Sequence, residues 1–284
     1  CIRDSKPSGA IDMTQGKPIN LMLRFALPMM IGSIFQSLYS MVDSAVLGRF
    51  VGSHALAAIG ATTSTTGLIL LLATGVTSAI SIVLSQYVGA NDTDRVRKGI
   101  VASGWITLLL GVVLGLISVF AARPLMQLLK TPEDVIDMSV LYIQIVCGCG
   151  IAQFAYNAAA SILRALGDSK TPLYFLILCS ILNVILDLIS VIGLNMGVAG
   201  VAVATVGSQA ISAAICILVM FRKYPDLMPK RHTLRPDMPV SLKIFGMGAQ
   251  MALQSLFLSV GMMVITRVIN GYGSNVVAAF TVGS

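Results

Sequence analysis

Two aspartates, Asp43 and Asp187, lie alone inside long apolar stretches, whereas the other ten acidic residues lie in polar segments. A carboxylate at bilayer depth costs roughly 2.5–3.5 kcal/mol on insertion scales, so such residues tend to face a cavity and mark an ion route. Tyr39 precedes Asp43 by four residues and Asn183 precedes Asp187 by four, which places each pair on one helix face. An amide can hydrogen-bond a carboxyl group in either protonation state. The pattern indicates buried acids that gain and lose charge.

Three other residues of the apolar stretches could bind an ion or change the shape of a helix. The Thr205 hydroxyl can serve a cation or a carboxyl group, or donate to its own helix. Gln36 is a polar side chain on the same stretch as Asp43. Pro28 removes a backbone hydrogen bond, so the helix there is either kinked or able to alternate between bent and straight forms.

The composition sets the class of protein. Hydrophobic residues make up 56% of the 284 residues and charged residues 11%, and the mean hydropathy is +0.88. These values predict an all-α membrane protein, a polytopic helical bundle, rather than a soluble domain. The net charge of +7 lies in short segments between apolar stretches without interleaved aromatic residues, which disfavours nucleic acid as a partner.

Seven apolar stretches are long enough to cross a bilayer, which takes about 20 residues. They cover residues 20–48, 54–87, 96–122, 135–166, 171–192, 198–221 and 240–269, and an eighth begins near Asn275. Fifteen of the 19 Lys and Arg lie on one side of these spans, and four lie on the other: Arg49, Arg123, Lys130 and Arg267. The bias predicts a multi-pass protein of the cytoplasmic membrane whose N-terminus is cytoplasmic.

An internal repeat divides the chain. Gln36-Ser37 and Arg49 recur 218 residues later as Gln254-Ser255 and Arg267, with six predicted helices between the copies. A two-lobed, six-plus-six parallel repeat is therefore expected, truncated after helix 7 from a protein of about 440 residues. The predicted domains are a cytoplasmic segment (1–19), the first lobe (20–222), an inter-lobe loop (223–239) and the start of the second lobe (240–284).

The sequence resembles the multidrug and toxic compound extrusion (MATE) transporters at several motifs. They are Pro28, Tyr39-Ser-Met-Val-Asp43-Ser-Ala-Val-Leu-Gly48, Arg164-Ala-Leu-Gly167-Asp168-Ser-Lys-Thr-Pro172, Asn183 with Asp187, and Gly197-Val-Ala-Gly200-Val-Ala-Val-Ala-Thr205. The motifs occur in the family's order throughout the first lobe.

The resemblance implies an antiporter whose first-lobe cavity is lined by Tyr39, Asp43, Tyr142, Asn157, Asn183, Asp187 and Thr205. It also implies that the helix bends at Pro28, and that some members hold Na⁺ at Asp43, Asn183, Asp187 and Thr205. A glutamate that couples Na⁺ in the seventh helix of another branch has no counterpart here, because the span 240–269 contains no acid.

These observations predict a monomeric, cation-coupled antiporter, not an enzyme, that exports amphipathic, cationic drugs by alternating access. Protons are the first choice as coupling ion and Na⁺ the second, and no cofactor is needed beyond the transmembrane gradient. One alternative is a flippase for lipid-linked oligosaccharide or peptidoglycan precursors, which needs cationic groups to hold a diphosphate. The other is an intramembrane aspartyl protease, but Val42 and Leu186 precede the two aspartates where its motifs need Tyr and Gly-x-Gly.

Overall fold

A computed structural model describes residues 17–129, 131–229 and 235–270. These residues form eight α-helices: α1 (Pro18–Phe50), α2 (Ser53–Gly89), α3 (Thr93–Leu128), α4 (Glu133–Gly148), α5 (Ile151–Ala165), α6 (Lys170–Leu188), α7 (Gly197–Lys223) and α8 (Met238–Asn270). A π-helical turn, Ile189–Gly193, extends α6. Within the described ranges there is no β-strand, as the sequence predicts.

The helices have the length and surface of membrane spans. Five of them, α1, α2, α3, α6 and α7, are long and apolar enough to cross a bilayer, and a sixth span results if α4 and α5 are joined. Large apolar side chains such as Phe120 and Leu128 are 78% exposed, which suits contact with lipid rather than water. The eighth predicted helix, from Asn275, lies outside the described residues.

The prediction of one continuous helix over 135–166 was wrong, because α4 and α5 are separate helices bent by 43° at Cys149-Gly150. Two glycines of α3 pack directly on this break. A Cβ at Gly115 would lie 3.0 Å from the carbonyl oxygen of Gly148, and one at Gly111 would lie 2.9 Å from Ile151 Cγ1. The bend thus depends on a close backbone approach from α3 as much as on the local glycines.

Acidic residues in the loops cap the helices that follow them. Asp92 accepts a hydrogen bond from the Arg95 backbone N–H at 3.0 Å and begins α3. Asp168 accepts one from the Thr171 backbone N–H at 3.0 Å and begins α6. Side-chain oxygens at these positions satisfy backbone donors that a helix leaves free at its start, so the loop acids define the helix boundaries.

Both described ends of the inter-lobe loop are fixed to the first lobe. Arg97 of α3 donates through Nε to the backbone oxygen of Asp226 at 2.8 Å. Lys98 lies 3.6 Å from Asp237, which also caps α8 through the Val240 backbone N–H. The helix that follows, α8, packs along α2 and contacts α3.

Candidate functional site

The interface between α1 and α6 brings the two isolated aspartates together. Asp43 of α1 is half-buried and Asp187 of α6 is 0% exposed. Their carboxyl groups face each other closely enough to interact directly. Residues 144 positions apart in sequence therefore form one acid pair, because α1 packs along α6.

Three of the four carboxyl oxygens of the acid pair lack a hydrogen-bond donor among the described side chains. Asp43 Oδ1 and both carboxyl oxygens of Asp187 are buried, and none has a hydrogen-bond partner among the described residues. Two ionised carboxylates offer only acceptors, so they cannot satisfy each other. Burial without a partner disfavours the charged state of each. A shared proton, or a cation between the oxygens, would supply what the pair lacks.

Asn183 and Thr205 extend the pair by one helical turn. Asn183 is 1% exposed, and its Nδ2 donates to Thr205 Oγ1 at 3.5 Å. The Thr205 hydroxyl in turn donates to the Val201 backbone oxygen at 2.9 Å, so its proton serves its own helix while its oxygen faces Asn183. Asn183 Oδ1 is buried and has no partner within the described chain. The four side chains thus present several unsatisfied oxygens, the ligand type that Na⁺ takes in transporters.

A small polar cavity of about 30 Å³ adjoins Asn183 and Thr205. Its lining comprises Gln36, Gln153, Tyr156, Asn157, Leu176, Cys179, Ser180, Asn183, Thr205, Ser208 and Gln209. The space suits two or three water molecules, since one needs roughly 10–15 Å³ of such volume. It is too small for a drug, and its described lining contains no Lys or Arg to hold the diphosphate that a flippase would carry.

An apolar plug, a buried cluster built from α1, α2, α7 and the π-helical turn, includes the residues one turn after each aspartate. It consists of Val46, Leu47, Ala55, Val191, Val198 and Val201. Leu47 and Val201 are each 1% exposed, so the plug is closely packed. Val46, Leu47 and Val191 lie nearer than the acids to the end of the bundle that is predicted to face outward.

The remaining predicted residues have different positions. Gln36 and Asn157 line the polar cavity, whereas Tyr142 is half-buried and packs against the apolar plug. The side chain of Tyr39 lies outside the described part of the structure. Pro28 is buried inside α1, which continues as one helix through it.

Sequence reasoning did not single out Ser180, Ser208 and Gln209 as cavity residues. A signal for them exists, because each lies three or four residues from Asn183 or Thr205 and therefore shares a helix face with it. Among the residues described, no group of three or more His, Cys, Asp or Glu could hold a metal ion. The carboxyl, amide and hydroxyl oxygens of the site suit a proton or a hard cation.

Comparisons with known proteins agree with this architecture. The MatE family model matches residues 28–189, more than half of the chain. The probable multidrug resistance protein YpnP of Bacillus subtilis is 33% identical over 273 residues, covering 95% of this chain and 60% of that protein. The chain thus spans about 60% of the length of this relative.

Two crystal structures titled MATE share the fold. One, in the bent conformation, superposes with a TM-score of 0.85 at 26% identity, covering 94% of this chain and 60% of that chain. The other, in the straight conformation, gives 0.83 at 26% identity, covering 97% and 62%. The helical bundle, the motif order and the family match lead to one conclusion: the chain belongs to the MATE family of membrane transporters.

Proposed function

We propose that the full-length protein is a cation-coupled antiporter that exports drugs or other small amphipathic molecules across the cytoplasmic membrane by alternating access. The naming of its relative YpnP as a probable multidrug resistance protein supports the substrate class. The distribution of Lys and Arg supports a cytoplasmic N-terminus, and the proposal takes the protein to be a monomer that needs no cofactor. Membership in a transporter family argues against the aspartyl protease alternative.

One observation carries the proposal: the carboxyl groups of Asp43 and Asp187 interact, and Asp43 Oδ1 and both Asp187 oxygens are buried with no hydrogen-bond partner in the described part of the chain. Two negative charges in contact in a dry interior are unfavourable, and a pair of interacting sites titrates as one unit. Binding of one H⁺ or Na⁺ would relieve this repulsion. Occupancy of the pair then determines how tightly α1 packs on α6.

Coupling to movement follows from the position of the pair on α1. Asp43 lies 15 residues after Pro28, where the helix lacks one backbone hydrogen bond and bends at low cost. When a cation neutralises the pair, α1 changes its curvature and the substrate loses its contacts. That MATE structures exist in bent and straight conformations is consistent with two helix forms.

The membrane potential supplies the driving force. A cation that reaches the pair from outside moves down a field worth about 2.3 kcal/mol per charge per 100 mV. For an uncharged substrate, that is roughly a fifty-fold gradient for each proton exchanged. The rocking of the lobes then exposes the site to the cytoplasm, where the cation leaves and substrate binds.

Protons are the preferred coupling ion, although Na⁺ also fits the oxygen ligands of the site. Asp43, Asn183 and Asp187 would hold Na⁺ through their unsatisfied oxygens, with Thr205 Oγ1 beside them. A proton needs only the two carboxyl groups. The two ions therefore differ in their dependence on Asn183 and Thr205.

The test is dye efflux from vesicles that contain the full-length protein, with pH and Na⁺ gradients imposed separately. Asp43→Asn and Asp187→Asn should each abolish gradient-driven efflux while the protein stays inserted. Asp137→Asn is the matched control, since this exposed acid forms a surface ion pair with Arg123, and the variant should export normally. Undiminished efflux by both pair variants would refute the proposal.

A further inference from the structure

An apolar groove of about 500 Å³ lies between α3 and α7 on the outside of the first lobe. Trp105 and Leu108 of α3 and Phe221 of α7 form its walls, and each is about half exposed. Its floor is one face of α5, where alanines such as Ala159 are too short to fill the space between the walls. Apart from Thr107 and the indole nitrogen of Trp105, the described lining is apolar. A hydrocarbon chain in the groove would gain van der Waals contacts along its whole length.

The groove lies in the half of the bundle that is predicted to face the cytoplasm. Its α3 residues lie within 100–108, near the start of that helix, and its α7 residues lie within 217–221, near the end of that helix. The basic residues at these two helix ends are among those predicted to be cytoplasmic. At 1.5 Å per residue, the α3 part rises about 12 Å, close to the half-thickness of about 15 Å of the hydrocarbon core. The groove therefore has the length of a lipid tail in the cytoplasmic leaflet.

Two arginines lie at the end of the groove that is predicted to be cytoplasmic. Arg97 precedes Val101, a groove residue, by four positions, so it continues the groove face of α3. It donates through Nε and one terminal nitrogen to the Asp226 backbone oxygen, which leaves other N–H donors of the guanidinium for a second acceptor. Arg222 is exposed and directly follows the last groove residue of α7. The two arginines thus lie at the level where the headgroup of a lipid in the groove would be.

These two arginines differ from other basic residues nearby in their ion pairing. Arg95, Lys98 and Lys223 each pair with an aspartate. Within residues 17–129, 131–229 and 235–270, no ion pair includes Arg97 or Arg222. Their charges are therefore available to a negative group from outside the chain.

We propose that the groove binds an anionic phospholipid of the cytoplasmic leaflet, with an acyl chain between α3 and α7 and the phosphate group at Arg97 and Arg222. Arginine forks match phosphate oxygens, and basic pockets between membrane helices on the cytoplasmic side bind anionic headgroups. The described start of the predicted second lobe leaves the groove uncovered, because α8 packs along α2 and contributes no described lining residue. The lipid site does not involve Asp43 or Asp187, so it does not rest on the proposed function.

The experiment compares two lipids with identical acyl chains, phosphatidylglycerol and phosphatidylcholine, on the purified full-length protein. Native mass spectrometry counts the lipids that remain bound as each is titrated. The wild type should bind one phosphatidylglycerol at least about fivefold more tightly than phosphatidylcholine. Arg97→Gln and Arg222→Gln should each raise the Kd of that lipid about fivefold, the contribution of one basic residue near an anionic membrane surface. Arg49→Gln, which removes an exposed charge at the opposite end of the bundle, is the control and should leave this Kd unchanged.

A steric variant tests where the acyl chain lies. A Cβ at Gly104 meets no heavy atom within 4 Å, so Gly104→Leu places a side chain in the groove without overpacking and should abolish the tight site. A Cβ at Gly67 of α2 likewise meets nothing, and Gly67→Leu should bind the lipid as the wild type does.

Thermal unfolding identifies any variant that loses stability. Arg222 takes part in no hydrogen bond or ion pair found in the described chain, so Arg222→Gln stays informative even if Arg97→Gln unfolds. Equal affinity for the two lipids, or binding unchanged by Gly104→Leu and Arg222→Gln, would overturn the inference. Binding of neither lipid, because the second lobe covers the groove, would overturn it too. Failure of the antiport proposal is separately visible, because it would show as normal drug efflux by Asp43→Asn.

Discussion

Gly75 of α2 and Ala252 of α8 are packed backbone to backbone. A Cβ built on Gly75 would lie 2.9 Å from the Ala252 backbone nitrogen and 3.0 Å from its Cα. One turn earlier on α8, a Cβ on Gly248 would lie 3.1 Å from the Val76 Cα. The first helix of the predicted second lobe thus meets the first lobe without an intervening side chain, so the position of α8 is sensitive to a single methyl group.

Gly75→Ala should therefore destabilise the protein. Overpacking costs about 1–3 kcal/mol, which outweighs the helix gain of about 0.5–1 kcal/mol from replacing glycine. Gly67→Ala on the same helix is the control, because a Cβ there meets no heavy atom within 4 Å and only the gain remains. Thermal unfolding of the purified full-length protein should show a lower Tm for the first variant and an equal or higher Tm for the second. Equal shifts in the two variants would mean that the contact is not tight.

Pro28→Ala should separate stability from transport. It restores a backbone donor for the carbonyl of Arg24, four residues earlier, and alanine is about 3 kcal/mol more favourable than proline inside a helix. The variant should melt at a higher temperature but lose most dye efflux, because bending α1 would then break a backbone hydrogen bond. Pro124→Ala in α3 replaces another proline inside a helix and should keep efflux. Wild-type efflux by Pro28→Ala would show that the bend is static.

Thr205→Val should weaken cation binding without removing the acid pair. It replaces the hydroxyl group that accepts from Asn183 Nδ2 by a methyl group of similar size. The loss of this hydrogen bond should weaken the site by about 0.5–1.5 kcal/mol. In Na⁺ gradients, the Na⁺ concentration that gives half-maximal efflux should rise about 2–10-fold, since 1.4 kcal/mol is a tenfold change. Thr205→Ser keeps the hydroxyl and should behave as the wild type. If Na⁺ is the coupling ion, the shift appears in Na⁺ gradients; if protons suffice, it is small.

The acid pair was accessible to sequence reasoning for a physical reason. A carboxyl group in an apolar helix is costly to expose to lipid, so Asp43 and Asp187 were expected to face the interior of the bundle. The four-residue spacing placed Asn183 on the same helix face as Asp187. The helix break at Cys149-Gly150 was not accessible in the same way. Glycines are frequent in membrane helices, and only the contact from Gly111 and Gly115 of α3 distinguishes this position from a continuous helix.

Pairings between residues far apart in the sequence could not be predicted either. Asp168 lies in the connection between α5 and α6, yet it is only 1% exposed. Lys223, its partner, is 55 residues away at the end of α7. No spacing rule connects two such residues, because the pairing exists only once α6 and α7 are packed. The basic residues counted for orientation therefore include one with a structural partner of its own.

The Asp168–Lys223 pair supports a final prediction about stability. Lys223 Nζ lies 2.5 Å from Asp168 Oδ2, which also accepts from the Thr171 hydroxyl at 2.6 Å. Lys223→Met leaves a buried carboxylate without its counter-ion and should lower the free energy of unfolding by about 3–5 kcal/mol. Asp168→Asn keeps an oxygen for the helix cap, so the double variant should recover most of that loss. Thermal unfolding of the four proteins gives the coupling energy, and strictly additive effects would show that the pair contributes nothing.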